Sequence, residues 1–267
     1  MIKRPARIVG YEPQLSRWPI GHQMRIAILS DLHACTRWMP LEAVEEAVAQ
    51  TNAIGADLIL LPGDFPGHLP FSRPLEPASV VNALAQLRAP LGVFAAMGNH
   101  DWKDDRSARK FRAASTKWHD ALEGVGIPVL SNQNIRLKNS DMELALVGLE
   151  SQRAFGKWRR AGRGADDVEQ ALDGIPAEMF TIMMAHEPDI FEVSDRRVDL
   201  TVSGHTHGGQ VRLLGRPWVV PSDYGKKYAY GMHSKDRGVL IVSGGLGCSG
   251  LPIRWNMPSE LTVVEMS

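Results

Sequence analysis

Five short apolar runs in this chain each stop at Asp, Asn or His. They are Met24 to Leu29, Asp57 to Leu61, Gly92 to Met97, Phe180 to Ala185 and Val198 to Val202. Runs of this length with few charges suit strands buried on both faces, as in parallel sheets. In open α/β sheets, ligands bind beyond the carboxyl ends of the strands. A chain patterned this way is expected to bring those ends, and the polar residues behind them, to one place.

The last run leads into Gly204-His205-Thr206-His207-Gly208-Gly209-Gln210. The glycines permit tight turns and leave room for a bulky anion beside the two imidazoles. His-x-His alone is a modest signal, because paired histidines also occur on plain surfaces.

Between the runs the pattern changes period. Pro40 and Gly55 bracket a helix over 41–54, and 78–88 is a second helix. A longer helix is expected over about 105–123, with Phe111 and Trp118 on one face. The four prolines of 65–77 exclude regular structure throughout that loop. The segment 128–149 reads as a hairpin of short strands, IPVL, NIRLK and MELALVGL, and strands at 239–243 and 260–266 close the chain. Residues 1–23, interrupted by Pro5, Pro13 and Pro19, read as an edge strand and arm. The expectation is a single α/β domain over 1–267.

Thirty basic residues balance thirty acidic ones, so no global charge favours a polyanionic partner such as nucleic acid. Two cysteines, Cys35 and Cys248, do not make a disulfide framework. Cys35 is read as a small packing residue. No window approaches 18 uninterrupted apolar residues, and no apolar stretch follows the basic N-terminus. A cytoplasmic protein is expected, or a peripheral membrane one if an anchor precedes this stretch.

The residues gathered at the strand ends are Asp31, His33, Asp64, Asn99, His100, Asp101, His186, His205 and His207. Carboxylate, amide and imidazole without thiolate suit Mn²⁺, Fe or Zn²⁺. They are more donors than one tetrahedral ion takes, and enough for two.

Asp-x-His, Gly-Asp, Gly-Asn-His-Asp, a lone His and Gly-His-x-His, in that order over 31–207, resemble the motifs of the calcineurin-like metallophosphoesterases. The Gly-His-Thr-His-Gly-Gly-Gln stretch is similar to one bacterial branch of that family, some of whose members are membrane-associated phosphodiesterases. The resemblance implies a four-layer α/β/β/α sandwich of two mixed sheets flanked by helices. It implies two divalent cations, Mn²⁺ first and Fe or Zn²⁺ next. Asp31, His33 and His207 would hold one, Asn99, His186 and His205 the other, and Asp64 would bridge them. Cations so bridged lie roughly 3.5–4 Å apart and share a hydroxide nucleophile. His100 is then the proton donor to the leaving oxygen. Asp101 either orients that imidazole or caps the following segment.

The activity so implied is hydrolysis of a phosphodiester or pyrophosphate bond, on a small phosphoester or a phospholipid-like substrate. The alternatives are a phosphomonoesterase on the same centre, a nuclease, and a non-catalytic interaction module. No obligate protein partner is expected. Arg153, with Lys157, Arg159, Arg160 and Arg163 around Phe155 and Trp158, is either a solvated loop or a patch that binds anionic substrate or touches a membrane surface.

Overall fold

The computed structural model describes residues 5–139, 142–156, 164–193, 197–236 and 238–267. Strand β1 (Arg7–Tyr11) precedes β2 (Met24–Ile28). Pro40 leads into helix α1 (Leu41–Ile54), which Gly55 ends in the left-handed region at φ 65°. Strand β3 (Leu58–Leu61), helix α2 (Pro77–Leu84) and strand β4 (Val93–Ala95) continue the alternation. Three short helices follow, α3 (Asn99–Asp104), α4 (Arg106–Phe111) and α5 (Lys117–Gly124). Strands β5 (Gln133–Asn139) and β6 (Met142–Leu149), helix α6 (Val168–Ala171), and strands β7 (Phe180–Ala185) and β8 (Leu200–Ser203) come next. A small hairpin, β9 (Arg212–Leu213) and β10 (Arg216–Pro217), precedes β11 (Gly231–Lys235), β12 (Gly238–Val242) and β13 (Glu260–Met266).

The strands make two mixed sheets, ordered β1-β13-β2-β3-β4 and β11-β12-β8-β7-β6-β5. In the first, β2, β3 and β4 run parallel, and in the second β6, β7, β8 and β12 do. Strand β3 shows why its sequence is apolar throughout. Leu58 and Leu60 enter the core shared with Leu144, Ile182 and Val202 of the second sheet, while Ile59 and Leu61 pack under Val44, Val81 and Leu122 of the helices. Burying each such side chain contributes roughly 1.5–3 kcal/mol. On the far face of the second sheet, Val147 and Met183 pack against Ala171, Leu172 and Ile190. The result is the four-layer sandwich, with thinner helical cover on the second sheet. Among the described residues no helix is long and apolar enough to cross a membrane.

Two expectations need correction. The helix over 105–123 is divided: the Asp105 side chain caps Ala108 N–H, Arg112 closes α4 at φ 50°, and Thr116 caps the start of α5. Phe111 is consequently exposed and Trp118 fully buried, so they share no face. Residues 133–139 and 142–149 do pair as antiparallel strands, but the preceding IPVL segment does not join them. Ala95 N–H donates to Pro128 O and Leu130 N–H to Ala95 O, which adds this segment beside β4 instead.

Gly148 on β6 lies directly against Leu130, and a Cβ there would overlap both the Cβ and the carbonyl oxygen of Leu130. Gly148→Ala is expected to destabilise the fold by roughly 1–3 kcal/mol. A urea unfolding curve with an unchanged midpoint would refute this packing.

Candidate metal centre

The parallel register brings the carboxyl ends of β2, β3, β4, β7 and β8 to one edge. The loops beyond them are joined by their own backbones. Asp31 N–H donates to Gly63 O (3.1 Å), His33 N–H to Asp64 O (3.0 Å) and Gly204 N–H to His186 O (3.0 Å). Leu246 and Gly247, beyond β12, donate to Ser30 O and Asp31 O. Asp31, His33, Asp64, His205 and His207 all have φ between 46° and 69°, a region few non-glycine residues enter. Such conformations persist only where surroundings over-determine them, and they concentrate at functional sites.

All nine residues named from the sequence meet here, seven of them buried and His100 and Asn99 half-buried. Two clusters place their ligand atoms within 4.8 Å of one another: Asp31, His33 and His207, and Asp64, His186 and His205. A third, His33, Asp64 and His100, overlaps both. One atom, Asp64 Oδ2, faces His186 Nε2 at 3.2 Å and His33 Nε2 at 3.5 Å.

Prolyl carbonyls set the tautomers of three imidazoles. A carbonyl only accepts, so His33 Nδ1 donates to Pro66 O (3.1 Å), His186 Nδ1 to Pro62 O (2.7 Å) and His205 Nε2 to Pro221 O (2.8 Å). Each neutral ring then carries its lone pair on the other nitrogen. For His33 that nitrogen is Nε2, which faces Asp64 acceptor toward acceptor, and His186 likewise turns its Nε2 to Asp64. His186 Nε2 and Asn99 Oδ1 are buried with no hydrogen-bond partner. His33 Nε2 and His207 Nε2 lie 3.1 Å apart, so one carries a proton that a bound cation would displace. Buried acceptors left unpaired cost about 1–3 kcal/mol each. Cations among them would remove that cost, so the donor set fits divalent metal ions.

The charges agree. Burial pulls His33, His205 and His207 below the ordinary imidazole range, so they are neutral and able to ligate. Burial also opposes the charge of Asp64, but His186, His100 and His33 outweigh it and hold this carboxyl well below its usual range. Burial opposes the charge of His186 too, but Asp64 and Asp31 outweigh it and raise this imidazole, so its Nε2 holds a proton toward Asp64 that a bound cation would displace. Burial raises Asp31, with the Asp64 carboxylate adding to it.

Asp101 does not orient His100. Its carboxylate accepts from Asp64 N–H (2.9 Å), Phe65 N–H (2.9 Å) and Gly98 N–H (2.7 Å), so it caps α3 and fastens the β3 and β4 loops together. His100 Nδ1 is buried without a partner, and its Nε2 lies 3.4 Å from Ser249 Oγ. Burial brings His100 down to about 3, against the pull of Asp64. Arg153 is not a free anion receptor: its Nη2 pairs with Asp189 (3.1 Å) and Asp223 (3.3 Å). Of its basic and aromatic neighbours, Lys157, Trp158, Arg159, Arg160 and Arg163 lie outside the described residues, while Phe155 packs edge-on against Trp102. Cys35 is fully buried in the core beneath the helices.

Three residues at the site have no role in the sequence reading. Ser30 Oγ donates to Asp31, Ser249 stands beside His100, and Arg254 Nη2 reaches His207 Nδ1 (3.2 Å). Arg254 ends the stretch Leu251-Pro252-Ile253-Arg254, and the chain's return through β12 brings it here. Asp101→Ala would strand three buried N–H groups, and a loss of at least about 3 kcal/mol of stability is expected from urea unfolding. A stability equal to the parent's would mean Asp101 holds nothing.

The family model for calcineurin-like phosphoesterases matches residues 24–209. An uncharacterized metallophosphoesterase, YkuE of Bacillus subtilis, is 29% identical over 91% of this chain and 78% of its own length. Phosphodiesterase YaeI of Escherichia coli is 30% identical over 91% of this chain and 82% of its own. A Danio rerio transmembrane protein with a metallophosphoesterase domain is 26% identical over 98% of this chain, which spans only 58% of that protein. The chain belongs to the calcineurin-like phosphoesterase family.

Proposed function

We propose that this protein hydrolyses a phosphodiester or pyrophosphate bond with two divalent cations. The observation that carries the reading is Asp64 Oδ2 between two histidine-bearing clusters, beside the unpartnered His186 Nε2 and Asn99 Oδ1. Asp31, His33 and His207 would hold one cation, and Asn99, His186 and His205 the other, with Asp64 common to both. Mn²⁺ is the first choice for this oxygen and nitrogen donor set, with Fe or Zn²⁺ next. Cations bound there supply positive charge to the phosphate oxygens and acidify a water to make the nucleophile.

The chain's own residues do the rest. The prolyl carbonyls keep the imidazoles turned inward, and the interlocked loops hold the ligands before substrate arrives. His100 lines the same cavity as Asp64, Asn99, His205 and His207, and has no carboxylate partner to fix its proton. A bound anionic ester counters the burial that depresses this imidazole and favours its protonated form. His100 then donates its proton to the leaving oxygen. The name phosphodiesterase borne by the Escherichia coli relative supports a diester over a monoester.

The test pairs elemental analysis of purified protein with hydrolysis of chromogenic mono- and diesters after Mn²⁺ reconstitution. About two metals per chain and preferential diester cleavage are expected. Asp64→Asn should lose metal and activity together. His100→Asn should keep its metal while kcat on a poor leaving group falls about 10²–10⁴-fold. Full activity in His100→Asn removes the general-acid role. No metal and no activity with Mn²⁺, Fe²⁺ or Zn²⁺ removes the enzymatic reading.

A further inference from the structure

Half of the exposed large apolar side chains among the described residues fall in two short segments, 213–219 and 251–255. Exposed apolar residues scattered singly need no explanation, but a contiguous group does. The backbone makes these segments one surface. Arg212 N–H donates to Trp255 O (2.9 Å), Trp255 N–H to Gln210 O (3.0 Å), and the Gln210 side-chain amide to Leu251 O (2.8 Å).

The tip of this surface is the β9–β10 turn. Leu214 sits there at φ 49° and is 100% exposed, with Gly215 at φ 77° behind it. Two-residue hairpin turns with positive φ favour Asn, Asp or Gly. Leucine at this position is strained and buries nothing within its own chain. Leu213, Trp218 (67% exposed) and Trp255 (59% exposed) stand on the same two segments.

Charge on the surface has one sign. The stretches 204–222 and 244–259 contain no Asp or Glu, but they contain Arg212, Arg216 and Arg254. Arg254 is half-buried on the backbone carbonyls of Gly244 and Gly247, and Arg212 donates to Gly208 O and Gly215 O. Arg216, beside the tip, is exposed. The surface is also continuous with the candidate centre. A cavity of about 480 Å³ is lined both by Asp64, Asn99, His100, His205 and His207 and by Val211, Trp218, Val219 and Leu251.

We propose that the β9–β10 hairpin and the 251–255 loop form a docking face for an anionic lipid bilayer, and that this face holds the mouth of the metal centre against the membrane surface. Leucines at an exposed tip insert among acyl chains, tryptophans settle at the headgroup level, and an exposed arginine meets lipid phosphates. A fully exposed tip offers no concave seat for a partner's side chain, whereas a bilayer yields around it. The docked site would then act on a phosphodiester carried in the lipid layer, a consequence that rests on the two-cation reading above. Binding to the bilayer itself does not.

The test is sedimentation of the full chain with vesicles of equal parts phosphatidylcholine and phosphatidylglycerol, and with phosphatidylcholine alone. The parent is expected to pellet with the anionic vesicles. The double variant Leu213→Ser, Leu214→Ser should bind them roughly tenfold or more weakly while keeping the parent's melting temperature. Arg216→Gln should weaken binding about fivefold on anionic vesicles and leave the phosphatidylcholine result unchanged. Ile20→Ser, which removes an exposed apolar residue on the N-terminal arm, should change neither binding nor activity. A parent that stays in the supernatant, or a double variant that pellets like the parent, overturns the proposal. So does a parent that ignores vesicles but forms a dimer which the double variant dissociates, since the face would then join two copies. Vesicle binding without hydrolysis of a soluble chromogenic diester leaves docking intact and counts only against the hydrolase reading.

Discussion

Asp64 is a carboxylate with almost no exposure, seated between two sets of histidines. Removing such a charge from water costs several kcal/mol unless its surroundings replace the lost solvation. The replacement here is specific. His100 N–H donates to one oxygen at 2.7 Å, and the imidazoles of His33 and His186 face the other. The His33 ring presents an acceptor there, because its far nitrogen is committed to a prolyl carbonyl. The carboxylate and the rings therefore satisfy one another only in part, and cations supply what is missing. Much of the architecture at this edge serves to hold that incomplete arrangement in place.

Asp101 belongs to the same design, although it touches no reacting atom. By accepting three N–H groups it fixes the turn after β3 to the turn after β4, and so places Asp64 and Asn99 relative to one another. Gly98 is needed between them, because a Cβ there would strike the Asp64 carboxylate. Gly204 has the same function beside Asp31 and Ser30. Five ligand-type residues held at positive φ are consistent with loops whose shape is imposed by packing and cross-loop hydrogen bonds. A site assembled this way is preorganised, because its donors cannot relax toward water when substrate is absent.

The edge that carries the centre is bordered by a surface of opposite character. Polar, buried and strained residues line the cavity together with Val211, Trp218, Val219 and Leu251, and the exposed leucines of the short hairpin lie on the neighbouring surface. A phosphoester head and an apolar body would both find suitable lining there. This pairing links the proposed chemistry to the proposed bilayer contact: the same chain segment that ends the second histidine motif, Gly208 to Gln210, leads directly into the hairpin.

Strand positions and donor types could be read from the chain because both are local. An uninterrupted run such as Leu58 to Leu61 has few folded uses other than a strand covered on both faces, and the residue after its end inherits a place at the sheet edge. Helix boundaries over 105–123 were less legible, since caps at Asp105 and Thr116 compete with an apolar spacing that suits a longer helix. Roles that depend on distant partners could not be read at all. Asp101 meets backbone groups 36 and 37 residues away, and Arg153 meets carboxylates 36 and 70 residues away. Leu214 and Trp255 look like ordinary loop residues until the Arg212–Trp255 hydrogen bond joins their segments. Composition and period specify which groups reach the edge of the sheets. Which nitrogen of each imidazole turns inward, and which carboxylate holds backbone instead of facing the cavity, depends on carbonyls and N–H groups that only folding brings within hydrogen-bonding distance.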